Sequence, residues 1–497
     1  MAYLGIDVGT SATKAVVIAP HGAVLARSRV PHPAARRCGP GRVDPTAWRS
    51  SVVSAVRSVV DALDARDAPI SAVGLDTHAP TALLLDAAGR PLTAGIAWDH
   101  PGLSEPTDDL ISVLTAEEVA LIGNHLMPAT AMGAAYRLLQ SIEPEAQRTA
   151  TTFGLAGTWL GQWLTGRRAI DPTQASYTAL MASTDGSCRW LGDLLTRFGI
   201  PAHQLPPIRP SLSVLGPLKS TAATELGLPE GVPVLVGSGD TPAASYALGS
   251  APGGRPLFIM GTTHVVSNSL AQPDPRALAL QRSDVHPQRW LINGVINGGD
   301  ALAHGAAVAG FGDDDAAVAD LVAAAFTAKP AETRAGAPVF IPHIRAERGP
   351  LWFDGPHTAL VGMSADTPIH VAARGIVEGV LFADRMIIET CVGRDQRTLY
   401  VSGAFGDGPA MPQLLADALD RVILVVDESH LPAVGAAAMC SEVLDGRVVT
   451  PPETRRVSPR IEWRATVAAR WTHYRDTWSS VTGVTPLGTL DEAMTAP

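Results

Sequence analysis

Lysine is almost missing from this chain: it occurs only at Lys14, Lys219 and Lys329, and the remaining basic residues are arginines. Cysteine is scarce as well, at four widely spaced positions (Cys38, Cys188, Cys391, Cys440) with no CxxC pair or zinc spacing. That excludes a disulfide-framed scaffold and leads us to expect reduced thiols in a cytoplasmic protein. No run of about 18 apolar residues is present to span a membrane as a helix. The N-terminus carries Asp7 and Lys14 inside its apolar region, so it does not read as a signal peptide. Positive charge is in deficit, with a formal net charge of −10, which argues against a nucleic-acid or anionic-membrane partner. Two common phosphate signatures are absent: there is no GxxxxGK[ST] loop, and no GxGxxG follows the first strand.

What the chain has is a large apolar fraction, 46% against 17% charged, over 497 residues. That is enough for a substantial core and roughly two to four domains. Its first twenty residues, MAYLGIDVGTSATKAVVIAP, read as strand, Gly-containing turn and strand. Gly9 eases the turn, Thr10, Ser11 and Thr13 bring hydroxyls, Lys14 brings a cation, and the backbone N–H groups add a concave anion site. Asp7 ends the first strand, where a carboxylate beside phosphate oxygens is tolerable if a metal cation lies between them. The same stretch also fits a plain hairpin in which Asp7 caps the turn.

Further along, Asp44-Pro45-Thr46 starts a helix to about Asp64, and Ile70–Leu75 is a strand ending in Asp76-Thr77-His78. Val232–Val236 leads into Gly237-Ser238-Gly239-Asp240 and a helix. Asp240 either caps that helix or stands in an open cleft at a strand end. APGGRP at 251–256 reads as a linker, dividing the chain into domains 1–250 and 251–497. The second half restarts like the first, with Leu257–Met260, a Gly261-Thr262-Thr263-His264 turn and another strand. Two such loops across a cleft can clamp a polyphosphate. The small residues at 402–408 allow a flat ring to approach the backbone.

Taken together and in order, GIDVGTSATK, GVPVLVGSGD, IMGTTHVV, DVHPQRW, FIPHIRAERGP, GIVEGVLFA and YVSGAFGDGPAMPQLLAD resemble the FGGY carbohydrate kinases, xylulokinase-like members above all. The resemblance implies an α/β fold of two ribonuclease H-like (actin-like ATPase) domains flanking a catalytic cleft. It implies transfer of the ATP γ-phosphoryl group to a hydroxyl of a small sugar or polyol, with Mg²⁺, a ketopentose being the first choice. By the same resemblance Asp240 is the catalytic base, touches the acceptor and shares the metal with Asp7. Gly9, Thr10, Ser11, Lys14, Gly261, Thr262 and Thr263 hold the phosphates, and Gly403 and Ala404 border the adenine. His78, Trp98 and Asp99 face the acceptor. The family is often dimeric, although nothing in the sequence marks an interface.

There are departures. The family pattern W-x-D-x-R reads Trp98-Asp99-His100-Pro101-Gly102, and the adenosine motif opens Ser402-Gly403-Ala404 in place of three glycines. The acceptor pocket is therefore expected to differ from that of a standard xylulokinase. Other acceptors in view are tetritols, glycerol, deoxyketoses and sugar acids. A non-catalytic nucleotide or sugar sensor on the same scaffold is the competing class.

Overall fold

The computed structural model describes residues 1–33, 37–63, 69–78, 80–275, 278–333, 337–393, 398–403 and 408–484. Ala404 lies outside them. Two seven-stranded sheets dominate. In the first, Ala2–Val8 pairs antiparallel with Ala12–Ile18 and parallel with Ile70–Thr77. Val24–Pro31 extends one edge, and Pro233–Leu235 with Val214–Pro217 the other. In the second, Leu257–Met260 pairs antiparallel with His264–Leu270 and parallel with Leu399–Gly403. Ile423–Val426 and Thr454–Val457 follow on one side, Trp290–Ile296 and Leu280–Ser283 on the other. The same plan is thus built twice, each time beginning with a hairpin whose turn carries Gly-Thr.

Local sequence explains the elements. Ala2–Val8 is buried at every position, as expected of a central strand covered on both faces. The helix Pro45–Ala62 has Asp44 as its cap, accepting from Thr46 N at 2.9 Å, and Pro45 at its start. These are the N-terminal preferences of helices. Trp48, Val52, Val56 and Val59 form its buried stripe, each valine contributing about 1.5–3 kcal/mol over exposure.

The helix Leu431–Asp445 belongs by sequence to the second half, yet it lies on the first sheet. A Cβ at Gly5 would stand 1.8 Å from Ala433 O, one at Gly74 1.9 Å from Ala436 O, and one at Gly435 1.9 Å from Ala243 O. The backbone of this helix therefore touches two central strands and the helix Asp240–Ala247 directly. Around these contacts, Tyr3, Val16, Ala72 and Leu235 share one core with Leu257, Val426, Val434 and Met439.

A third, five-stranded sheet joins Arg37–Gly39, Arg42–Val43, Gly95–Ala97, Thr81–Leu85 and Thr152–Leu155. The four cysteines are free thiols. Among the described residues no helix is long and apolar enough to cross a membrane.

Gly74→Ala is expected to destabilise the protein by about 3 kcal/mol, the upper end for overpacking, because backbone rather than a pliable side chain blocks the new methyl. Gly192→Ala, where a Cβ meets nothing within 4 Å, serves as the control. Thermal and urea midpoints of the two variants, compared with the parent, check this.

Candidate active site

Strand register gathers the charged residues. Asp7 is opposite Lys14 in the antiparallel pair and opposite Asp76 in the parallel one. Ser238–Gly239 pairs in register with Asp76–Thr77 and so delivers Asp240 to the same end of the sheet. Thr173 steadies this delivery, its Oγ1 accepting from Gly239 N at 2.8 Å. Asp240 is the first residue of its helix; the cap position is Gly239. The capping alternative therefore does not describe it. Its Oδ1 accepts from Thr241 N at 2.6 Å, and Oδ2 has no partner among the described residues.

Lys14 Nζ is 3.0 Å from Asp7 Oδ2. Burial works against the charge on Lys14, but Asp7, and then Asp76 and Asp240, outweigh it and raise its pKa. Asp76 is 1% exposed, and neither of its oxygens meets a donor; nor does Asp7 Oδ1. Burial first, then the neighbouring Asp7 and Asp240, push the Asp76 pKa well above the ordinary carboxylate range. One ammonium among three carboxylates leaves negative charge unmatched, which suits a divalent cation. Among the described residues no three acidic, His or Cys side chains converge to cage a bare ion. The donor set thus fits magnesium, which keeps most of its waters.

One cavity adjoins this cluster through Lys14, and a second is lined by the neighbouring Thr10. The larger, about 870 Å³, is lined from the first half by Ser11 and Lys14 and from the second by Gly261, Thr262, Gly299 and Gly403. The two Gly-Thr turns thus face one space. They close alike, Gly9 N donating to Ala12 O at 3.1 Å and Gly261 N to Thr263 O at 3.2 Å. Gly403 has φ +131, and a Cβ there would stand 2.0 Å from Met260 O, so only glycine suits that position. The smaller cavity, about 70 Å³, is lined by Thr10, Trp48, His78, Trp98, Asp99 and both Arg37 and Arg42, among others. The turn at Thr10–Ser11 is the partition between the two.

Two histidines hold that partition from behind. His32 Nε2 donates to Gly9 O at 3.0 Å, and His78 Nδ1 to Val8 O at 3.0 Å. The remaining His78 nitrogen meets Thr81 Oγ1 at 3.0 Å. His78 therefore lines the small cavity as a wall whose ring nitrogens are already engaged. Trp98 is on the cavity rim, and Asp99 faces Arg37 at 3.9 Å. His100 caps a short helical turn, its Nδ1 accepting from Gly102 N at 3.0 Å, which accounts for His100 and Gly102 in the altered 98–102 stretch. Asp76, Thr173 and His32 were not singled out in the sequence. The signal for Asp76 was a carboxylate at the end of a second strand, legible only once parallel pairing with Asp7 is known.

The family models for the FGGY family of carbohydrate kinases match residues 2–247 (N-terminal domain) and 257–441 (C-terminal domain). A glycerol kinase from Alkalilimnicola ehrlichii is 28% identical, covering 89% of this chain and 90% of its own length. A xylulose kinase from Escherichia coli is 25% identical over 88% of this chain and 89% of its own. Among solved structures, a xyloylose kinase from Brucella ovis superposes with a TM-score of 0.84 at 23% identity, covering 97% of this chain and all (100%) of that one. That likeness shows the fold, two α/β domains as in that kinase.

The environment of Asp76 has a consequence for stability. Its folded-state pKa exceeds the unfolded one, so the stability it confers is greatest below the ordinary carboxylate range and is lost as pH rises towards the folded value. Asp76→Asn removes this liability. Without metal or nucleotide the variant should melt about 2 °C or more above the parent at pH 8, with the gap closing towards pH 4. An equal or lower midpoint at pH 8 contradicts the strained carboxylate.

Proposed function

We propose a division of labour among these residues on one premise: the chain belongs to the FGGY family of carbohydrate kinases and is a phosphotransferase with an alcohol group as acceptor. ATP occupies the 870 Å³ cavity and a small sugar or polyol the 70 Å³ one. The observation that carries this reading is the partition, with Thr10 on the acceptor side and Ser11 and Lys14 on the donor side, while strand register brings Asp240 to the same sheet end as Asp7 and Asp76. The chain divides into domains at 250/251, with the helix Leu431–Asp445 returning to brace the first.

Phosphoryl transfer depends on positioning and charge neutralisation more than on covalent help from the protein. Thr10, Ser11 and Lys14 from one turn, and Thr262 and Thr263 from the other, donate to phosphate oxygens, while Gly9 and Gly261, whose N–H groups close the two turns, shape the phosphate site. His32 and His78 occupy carbonyls behind the first turn, which turns its N–H groups forward. Gly403 makes room for the adenine. Asp7 and Asp240 would hold Mg²⁺ through water, and the ion would supply charge neutralisation. Asp240 Oδ2 takes the proton of the acceptor hydroxyl while that oxygen bonds to the γ-phosphorus and the bond to the departing ADP oxygen breaks. Oδ1, tied to Thr241 N, fixes the carboxylate's direction. Trp98 and Asp99 border the acceptor. The names of the relatives, xylulose kinase and glycerol kinase, support a ketopentose or a smaller polyol.

Asp240→Ala should keep the parent's circular-dichroism spectrum and bind ATP, while acceptor-dependent ADP release falls by about 10²–10⁴-fold. Turnover within a few-fold of the parent would refute Asp240 as the base. ATP binding with no phosphorylated product from any acceptor would favour the sensor reading.

A further inference from the structure

Buried guanidinium groups ordinarily have carboxylate or carbonyl partners, because an unpaired buried charge is expensive. Arg374 and Arg470 follow the rule, both meeting Glu378. Two arginines of the second half, the buried Arg282 and the half-buried Arg348, have no carboxylate partner among the described residues. Arg282, on the strand Leu280–Ser283, is only 4% exposed. Its Nε reaches Asn293 Oδ1 at a long 3.4 Å, and one terminal nitrogen is buried with no partner at all. That nitrogen stands 3.1 Å from the Cβ position of Gly239, the residue before the proposed base. The guanidinium lies over the Tyr177 ring at 4.7 Å.

Arg348 reaches across from the segment after His343. Its guanidinium lies over the Trp98 ring at 5.0 Å. Burial lowers its pKa, with the neighbouring Tyr177 and Glu347 opposing. Glu347 is already committed: Oε2 accepts from Asn297 N at 3.0 Å and Nδ2 at 2.9 Å, and Oε1 meets His343 at 3.1 Å. Neither Arg282 nor Arg348 makes an ion pair among the described residues. The order Arg282, Tyr177, Arg348, Trp98 leads from beside Asp240 to the rim of the 70 Å³ cavity. Two forked cations, both beside Tyr177 and neither in an ion pair among the described residues, match a ligand carboxylate, which a guanidinium binds through two parallel hydrogen bonds.

We propose that Arg282 and Arg348 are the anion-recognising side of the acceptor site, and that the acceptor is therefore a small polyhydroxy acid in place of a neutral ketose or polyol. This rests on the kinase reading above and narrows its acceptor class. The two arginines come from the second half and Trp98 and Asp240 from the first, so the acid is gripped from both domains. Its carboxylate faces the guanidinium pair while one of its hydroxyls faces Asp240. Neutral acceptors leave the two cations unpaired, and that is the source of discrimination.

The test uses matched acceptors differing in the acid group: xylonate and ribonate against xylulose and xylitol, erythronate against erythritol, glycerate against glycerol. ADP release gives kcat/KM, and calorimetry without nucleotide gives acceptor affinity. The expected result is an acid preferred at least 10-fold over its neutral counterpart, with calorimetric affinity weakening as salt is raised. Arg348→Met should lower kcat/KM for the acid by about 10²-fold, at least 10-fold more than for its neutral counterpart, with Arg348→Lys intermediate. Arg282→Met should do the same; if it fails to fold, the Arg348 series decides. A neutral acceptor matching or exceeding its acid overturns the proposal and leaves the kinase reading intact. So does an equal loss for acids and neutrals in the variants, which would assign the arginines to the transferred phosphoryl group or to packing. Absence of product from every acceptor sinks the kinase reading together with it.

Discussion

The distance between the helix Leu431–Asp445 and the first sheet is the constraint from which the rest of the molecule is set. Gly5, Gly74 and Gly435 bring backbone against backbone, at positions where even a methyl group would overlap a carbonyl oxygen. Leu431 and Pro432 at the start of that helix, and Ala244 on the helix it touches, are walls of the 870 Å³ cavity. A bulkier seam would move these walls and, with them, the second Gly-Thr turn relative to the first. A dispersion-packed seam of alanine and glycine therefore governs the geometry of a polar site about which it carries no charge information. Close-packed interiors transmit such displacements instead of absorbing them.

Electrostatics supply the second layer. Lys14 is one of three lysines in the chain and stands where three carboxylates converge. The convergence follows from register: two parallel strands and one short strand all end in Asp or lead into it. A shift of one residue in any of these pairings would turn a carboxylate to the other face of the sheet. Asp76, without a donor, stores unfavourable free energy at this point. Its neighbours make it tolerable only while Lys14 keeps its charge and a proton or cation is at hand.

Much of this was legible in the sequence and some was not, for identifiable reasons. Local signals sufficed for the helix after Asp44 and for the two Gly-Thr turns. They sufficed too for placing a carboxylate after Gly239 at the start of a helix. Each depends on residues adjacent in the chain. Non-local pairings were out of reach. Asp76 needs its parallel partner, His32 needs Gly9, and Arg282 needs Gly239, a neighbour only in space. The helix Leu431–Asp445 was expected by composition, but its lodging on the other half's sheet depends on glycines more than 350 positions away. The 98–102 stretch could be seen to depart from its pattern; that His100 closes a turn there required hydrogen-bond geometry.

The partition at Thr10–Ser11 has a kinetic meaning. A wall with separate chambers on its two sides lets each ligand come and go without passing the other. On the proposed assignment of ATP to the larger chamber and the acceptor to the smaller, neither binding event sterically blocks the other, and no compulsory order of arrival is expected. Encounter would then be limited by whichever chamber fills more slowly, with the wall braced by two imidazoles as a surface that both reactants border before phosphorus changes hands.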